Sequence, residues 1–164
     1  MKTFKRFLFP VLLLANAALL AQTKADDIPV GDLPASVKGV LESYVSILRT
    51  SKDLTEAGKR FVEIAGGTLV SDDGKSLRSS TEQFGLKKDF NDIKHYADPI
   101  RITRVAKLAS NGQGYGASAI KGLIYKVWID KKDPQLGMPA PVSILVPEGH
   151  ETIKTPKVVN IGSF

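Results

Sequence analysis

Two basic residues interrupt apolar strand faces in this sequence. Arg104 is the polar exception on one face of the predicted strand Ile100–Leu108, and Lys126 is the exception on its face of Ser118–Asp130. A cation in such a position either extends its head group to water at the sheet margin or binds the acid group of a ligand. Both readings stay open from the sequence.

Other patterns that could carry chemistry are weaker. His95 could act as a general base held by Asp98, although a histidine at a helix C-terminus is also a favourable charge there. His150 is far from His95 and no paired ligand spacing is present, so no metal and no cofactor is predicted. Gly112–Gly116 joins two predicted strands, which favours a hairpin loop over a phosphate loop.

The strand Ser118–Asp130 is apolar on both faces, which predicts the central strand of a curved sheet. Ile120, Gly122, Ile124, Lys126 and Trp128 share one face, and Leu123, Tyr125, Val127 and Ile129 share the other. We expect the Trp128 face to line a pocket, because Gly122 leaves room there. The Tyr125 face would then need a cover, which a homodimer could provide.

Three helices are predicted before these strands. The first begins near Asp32 or Ser36 and ends at Arg49, with Tyr44 on its apolar stripe. The second is capped by Ser51 or Asp53 and ends at the glycines 66–67. The third follows a capping box of Ser80 and Gln83, is best supported from Leu86, and ends before Pro99.

The strands complete the predicted order. A short strand, Thr68–Ser71, precedes the third helix, and Ile100–Leu108, Ser118–Asp130, Val142–Val146 and Lys157–Phe164 follow it. Helices that precede a run of antiparallel strands favour an α+β domain with the helices packed on a curved, mainly antiparallel sheet.

The first 25 residues predict a secretory signal peptide. A basic start with Lys2, Lys5 and Arg6 precedes the apolar run Leu8–Leu20, and small residues follow it. Cleavage after Ala25 would leave a single domain, residues 26–164, without a membrane anchor. We therefore expect a periplasmic or secreted protein.

The charge balance supports this interpretation. The formal net charge is +6, but four of the 23 basic residues lie in the leader, which leaves 19 basic against 17 acidic residues. This near-neutral balance gives no indication of a nucleic-acid surface. The chain has no cysteine, so packing without disulfides must stabilise the exported domain.

The element order resembles that of the nuclear-transport-factor-two-like superfamily. Leu41–Asp53 (LESYVSILRTSKD) is similar to the family's first helix and its turn into the second, and Gly66–Gly74 (GGTLVSDDG) to the short strand that follows. The resemblance implies a cone-shaped, cystatin-like fold with an internal pocket, as in the ketosteroid isomerase and polyketide-cyclase-like relatives.

The isomerase branch of that superfamily implies particular residues. Tyr44 matches a tyrosine that donates a hydrogen bond to a substrate oxyanion, and Asp72 lies near the position of a carboxylate base. Ser143 stands where those isomerases carry a protonated carboxylic acid, so the catalytic set is incomplete. Tyr44 could instead be a core aromatic, and Asp72 a solvated turn residue.

Three functions follow as hypotheses. The first is a non-catalytic domain that binds a small apolar or acidic ligand in the conical pocket, without a cofactor. The second is an isomerase or dehydratase that uses Asp72 and Tyr44, and the third is a homodimeric protein-interaction module. The expected ligand-binding residues are Tyr44, Arg104, Ile120, Ile124, Lys126, Trp128 and Ser143.

Overall fold

A computed structural model describes residues 25–162 and residue 164. The predicted signal peptide falls almost entirely outside the described residues. Those residues form an α+β fold with three helices and one antiparallel sheet of five strands in the order β1-β2-β3-β4-β5. The predicted fold class is therefore confirmed at this level.

The helices are shorter than predicted at several ends. They are α1 (Ala35–Thr50), α2 (Leu54–Phe61) and α3 (Lys87–Asp92). A π-helical turn, Thr81–Leu86, precedes α3, and a 3₁₀ turn, Ile93–His95, follows it. The apolar stripe predicted for α1 is buried.

One predicted cap is formed and two are not. Asp53 caps α2, since its carboxylate accepts a hydrogen bond from the Glu56 N–H at 2.8 Å. Pro34 begins α1 without a side-chain cap, so neither Asp32 nor Ser36 has that role. Ser80 likewise makes no capping hydrogen bond, because its backbone is already helical.

The strands are β1 (Asp26–Ile28), β2 (Ile102–Gln113), β3 (Ile120–Ile129), β4 (Val142–Pro147) and β5 (Lys157–Asn160). The segment directly after residue 25, for which no strand was predicted, pairs with β2 as β1. The predicted strand Thr68–Ser71 is wrong, because residues 67–69 form a 3₁₀ turn and only Val70 makes a bridge, to Leu77.

A register shift in β2 changes which face its residues share. The shift lies between Ile102 and Arg104, so Ile100 and Ile102 pack with the helices while Ala106 and Leu108 point away from them. One extra residue in a strand rotates the following side chains to the other face. The single face predicted for Ile100–Leu108 is therefore wrong.

The sheet has an inner face and an outer face. The inner face packs against the helices and carries Tyr125, Val127, Ile129, Val142, Ile144 and Val158, while the outer face carries Ile120, Ile124, Leu145 and Val159. Tyr125 and Ile129 are 8% and 0% exposed. The face that we expected a second copy to cover is thus covered by the protein's own helices.

Gly122 lies on β3 for a different reason than predicted. Its φ is +145°, and a Cβ there would lie against the Val146 carbonyl oxygen, far inside contact distance. The missing side chain makes room for the neighbouring strand and not for a ligand.

No helix within the described part of the chain is both long and apolar enough to cross a membrane.

Candidate functional site

Tyr44 points into the interior, and its partner there is Asp89. The ring lies on the buried stripe of α1 and has no exposed surface. Its hydroxyl donates a hydrogen bond of 2.7 Å to the Oδ2 atom of Asp89, on α3. Asp89, the carboxylate that Tyr44 meets, was not among the residues predicted from the sequence.

The Asp89 carboxylate is fully enclosed. Besides Tyr44, its Oδ2 accepts the Gly162 N–H at 3.0 Å, and its Oδ1 accepts the Phe164 N–H at 3.0 Å. Burial raises the pKa of Asp89, although the three hydrogen bonds and the nearby Lys88 act in the opposite direction. Burial, together with the Asp89 charge, also raises the pKa of Tyr44.

Aromatic rings surround this carboxylate. The Phe164 ring centroid lies 4.6 Å from that of Tyr96 and 5.9 Å from that of Tyr44, and Tyr44 lies 4.9 Å from Phe61. Burial raises the pKa of Tyr96 to about 12. The Tyr96 hydroxyl is enclosed without a hydrogen-bond partner in the described part of the protein. We call Tyr44, Phe61, Asp89 and Tyr96 the interior site.

Asp72 does not belong to this site. Its side chain is 65% exposed and forms an ion pair with Arg78. The turn around it is closed by its own hydrogen bonds, from the Ser71 hydroxyl and the Lys75 N–H to Asp73. The predicted pairing of Asp72 with Tyr44 is therefore wrong, because the turn faces water while the phenol faces the core.

Arg104 has a partner on the outer face. Its guanidinium donates two hydrogen bonds to the Asp27 carboxylate, at 2.9 and 3.2 Å, and lies 4.5 Å from the centre of the Trp128 ring. Asp27 therefore takes the place that we predicted for the acid group of a ligand. Lys126 lies between Ala106 and Ser143 in the sheet register and is half-buried.

Ile120 and Ile124 pack instead of lining a deep pocket. They form a small apolar cluster with Leu145 and Val159, in which Ile120 is 1% exposed. Ile120 also borders a shallow cavity of about 260 Å³ near His150. Ser143 is buried on β4, away from Tyr44 along the opposite face of the sheet.

A cavity that the sequence analysis missed lies beside α2. It has a volume of about 410 Å³ and is bordered by the segment 75–82. We call it the α2 groove; its lining residues are Leu54, Thr55, Gly58, Lys59, Val62, Lys75, Ser76, Leu77 and Glu82. The one local signal there was Gly58, a glycine inside a short helix, which costs about 1 kcal/mol relative to alanine.

The two histidines lie apart from the partners considered for them. Asp98 pairs with Arg49 at 2.7 Å and not with His95. His150 accepts hydrogen bonds at Nδ1 from the N–H groups of Thr152 and Ile153. Within the described ranges no group of three or more potential metal ligands occurs.

In comparisons with known proteins, no family model, no curated protein and no solved structure matches this chain.

Proposed function

We propose that this protein is a non-catalytic binding domain for a small ligand with an apolar body and an acidic group. The α2 groove is the proposed site. The observation that supports it is a cavity of about 410 Å³ in which apolar walls and lysines occur together.

The lining of the groove matches such a ligand. Leu54, Val62 and Leu77 supply apolar surface, and Lys59 and Lys75 are exposed at its border. Burial of an apolar ligand surface contributes about 25 cal/mol per Å², and the ammonium groups would pair with a carboxylate or similar anion. Glu82 on the same border would disfavour ligands with several negative charges.

A second cavity extends the groove. It has a volume of about 360 Å³ and shares Val62 and Lys75 with the first. Lys157 lines it, and its ammonium donates to the Glu63 carbonyl at 2.6 Å. An elongated ligand would therefore run past Lys75 from one cavity into the other.

The relationship to the nuclear-transport-factor-two-like superfamily is part of the proposal. Three helices that precede four of the five strands of an antiparallel sheet are compatible with the cone-shaped fold. In this proposed version of the fold, the protein's own side chains fill the interior site, and the ligand binds outside it. The catalytic alternative is not carried further, because Asp72 faces solvent.

Export to the periplasm or the exterior is also proposed. β1 begins at Asp26, directly after the predicted cleavage position. Mass spectrometry of the native protein should find an N-terminus between Gln22 and Asp26. An intact Met1 on protein from the membrane fraction would contradict export.

A binding experiment tests the α2 groove. Isothermal titration with octanoate, an apolar chain with one carboxylate, should show one site on the wild-type protein. The double variant Lys59→Glu and Lys75→Glu should weaken binding about 10-fold, because two attractive charges become repulsive. Val62→Asp should abolish it.

The matched control reverses the charge of two lysines away from the groove, Lys94→Glu with Lys132→Glu, which gives the same change in net charge. Binding by this control should equal that of the wild type. If both double variants weaken binding alike, the effect comes from net charge and the groove is not the site.

A further inference from the structure

The second cavity, of about 360 Å³, is lined by a lysine whose charge the chain does not fully satisfy. Lys157 lies on β5, where it pairs with Leu145 of β4. The residue is half-buried, so its ammonium is partly withdrawn from water. A charge in that position is unfavourable unless a hydrogen-bonding or charged partner faces it.

Gly66 leaves room for the stem of this side chain. A Cβ at position 66 would lie 2.8 Å from the Cβ atom of Lys157 and 3.1 Å from its Cγ atom, so a larger residue would displace the stem. The Gly66 backbone is held to β5, because its N–H donates to the Val158 carbonyl at 2.9 Å. The stem is therefore packed against a buried glycine.

The Lys157 ammonium makes one hydrogen bond within the described part of the chain. It donates to the Glu63 carbonyl oxygen at 2.6 Å, just beyond the C-terminal end of α2. No ion pair of Lys157 occurs among the described residues. An ammonium has three N–H donors, so two of them remain for a ligand in the cavity. Burial lowers the pKa of Lys157, although the Glu63 charge acts in the opposite direction.

The other charges around the cavity limit which anion fits there. Lys75 lines it as a second cation, while Asp73 and Glu63 line it as carboxylates. Hydrogen bonds from the Ser71 hydroxyl and the Lys75 N–H lower the pKa of Asp73, so this carboxylate is ionised at neutral pH. The two lysines favour a ligand with one negative charge, and the two carboxylates disfavour a phosphate monoester, which carries nearly two.

The second cavity adjoins the apolar wall of the α2 groove. Val62 and Lys75 line both spaces, so the two meet at these residues. Leu54 and Leu77 continue the apolar wall on the groove side. An alkyl chain attached to a carboxylate in the second cavity would therefore pass Val62 and bury its methylene groups in the groove.

We propose that Lys157 binds the carboxylate of a long unbranched alkyl monocarboxylate whose chain lies in the α2 groove. The inference rests on the function proposed for that groove and adds the position of the acid group, its charge and a preference for long chains. A short carboxylate such as octanoate reaches only the lysines at the groove border, whereas a longer one spans both cavities.

Isothermal titration of the protein with octanoate and with dodecanoate tests the inference. Each additional buried methylene should raise affinity about fourfold, so the wild type should bind dodecanoate at least about 10-fold more tightly than octanoate. Lys157→Met keeps an unbranched stem and removes the charge. It should weaken dodecanoate binding at least about 10-fold and change octanoate binding less than about twofold.

Lys131→Met is the matched control. Lys131 is also half-buried, and its ammonium also donates to a backbone carbonyl, that of Leu136 at 2.8 Å, but it lines neither cavity. This variant should bind both carboxylates as the wild type does. Equal weakening by the two variants would overturn the role of Lys157, because the loss of any one positive charge would then explain it.

Dodecyl phosphate tests the charge of the head group. At pH 8 it carries nearly two negative charges, and the wild type should bind it at least about fivefold more weakly than dodecanoate. Equal or tighter binding of the phosphate would overturn the preference for a monocarboxylate.

Lysine acetylation tests the same contact on the wild-type chain and decides the case if Lys157→Met does not fold. Saturating dodecanoate should slow the acetylation of Lys157 by acetic anhydride at least about fivefold, as measured by mass spectrometry of the digested protein, and should leave Lys131 unaffected. Unchanged acetylation of Lys157 would overturn the inference.

The outcomes separate this inference from the function proposed for the groove. If octanoate binds the wild type and Lys157→Met leaves dodecanoate binding unchanged, the acid group lies elsewhere and this inference alone fails. If the wild type binds neither carboxylate, the groove is not a site for such ligands and both proposals fail.

Discussion

The two faces of the sheet satisfy their polar side chains in different ways. The inner face is closed by α1, α2, Ile161 and Phe164, and the polar groups near it, Tyr44 and Asp89, bind each other. The outer face has only a small buried cluster, and its polar groups Arg104 and Asp27 pair in contact with water.

Whether helices cover a face decides how the polar side chains on that face are satisfied. β3 contributes to both faces through alternating side chains, so Tyr125 is buried under helices while Trp128 is half-buried beneath Arg104. An ionisable group on the inner side must be satisfied by hydrogen bonds in the core. On the outer side, water satisfies most of that requirement.

The largest expected effect is on the inner face. Tyr125→Glu should lower the free energy of unfolding by about 4 kcal/mol or more, because it places a charge without a partner under the helices. Urea denaturation measures this. Trp128→Glu, three residues along on the other face, should cost less than about 1.5 kcal/mol, and equal losses would remove the distinction between the faces.

The next largest loss of stability is expected at Gly122, on the outer side of β3. Gly122→Ala should cost about 3 kcal/mol or more, because its backbone has a φ of +145° and a Cβ would meet the Val146 carbonyl. The control is Gly112→Ala, where a Cβ would meet no atom within 4 Å. A stable Gly122→Ala protein would show that β3 and β4 can separate at this point.

The interior carboxylate should also have its own pH dependence. Because burial raises the pKa of Asp89, its stabilising contribution is complete below the ordinary aspartate pKa and is lost as the pH rises to the raised value. Within that interval, the stability of the wild type relative to Asp89→Asn should fall by about 1.4 kcal/mol per pH unit.

Asp73, at the surface, should give a pH dependence of stability with the opposite sign. Hydrogen bonds from Ser71 and Lys75 lower its pKa, so its contribution is present above the ordinary value and is lost as the pH falls through the lowered one. The stability of the wild type relative to Asp73→Asn should therefore rise with pH within that interval. Parallel slopes for the two variants would contradict the burial of Asp89.

The smallest effect belongs to the outer ion pair. Arg104→Ala should lower the free energy of unfolding by less than about 1 kcal/mol, since both partners are more than half exposed. Raising the salt concentration should reduce the difference further. A loss as large as that of Tyr125→Glu would show that another molecule covers the outer face in solution.

Much of the fold follows from local patterns. The stripe of α1, the cap at Asp53 and the alternation of β3 were predictable, because each depends on the periodicity or capping chemistry of a short stretch. The side of the sheet that the helices cover was predicted wrongly. Alternation shows that two faces differ, but it does not show which of them faces a distant helix.

The interior site could not be found in the same way. Asp89 lies in the sequence Lys-Lys-Asp-Phe-Asn-Asp, a composition typical of a solvated helix surface. Its burial depends on N–H groups supplied from 73 and 75 residues further along the chain. The shift in β2 was equally hidden, because one extra residue leaves no mark on composition.

The short strand β1 has a consequence for solubility. It has only three residues, two of them aspartates, and it pairs with the long strand β2. Without it, β2 would present unpaired N–H and C=O groups along the sheet margin, where a second molecule could add a strand and begin aggregation. If the proposed leader is removed, a cut a few residues later than Ala25 would also remove β1, and the processed protein should then aggregate more readily.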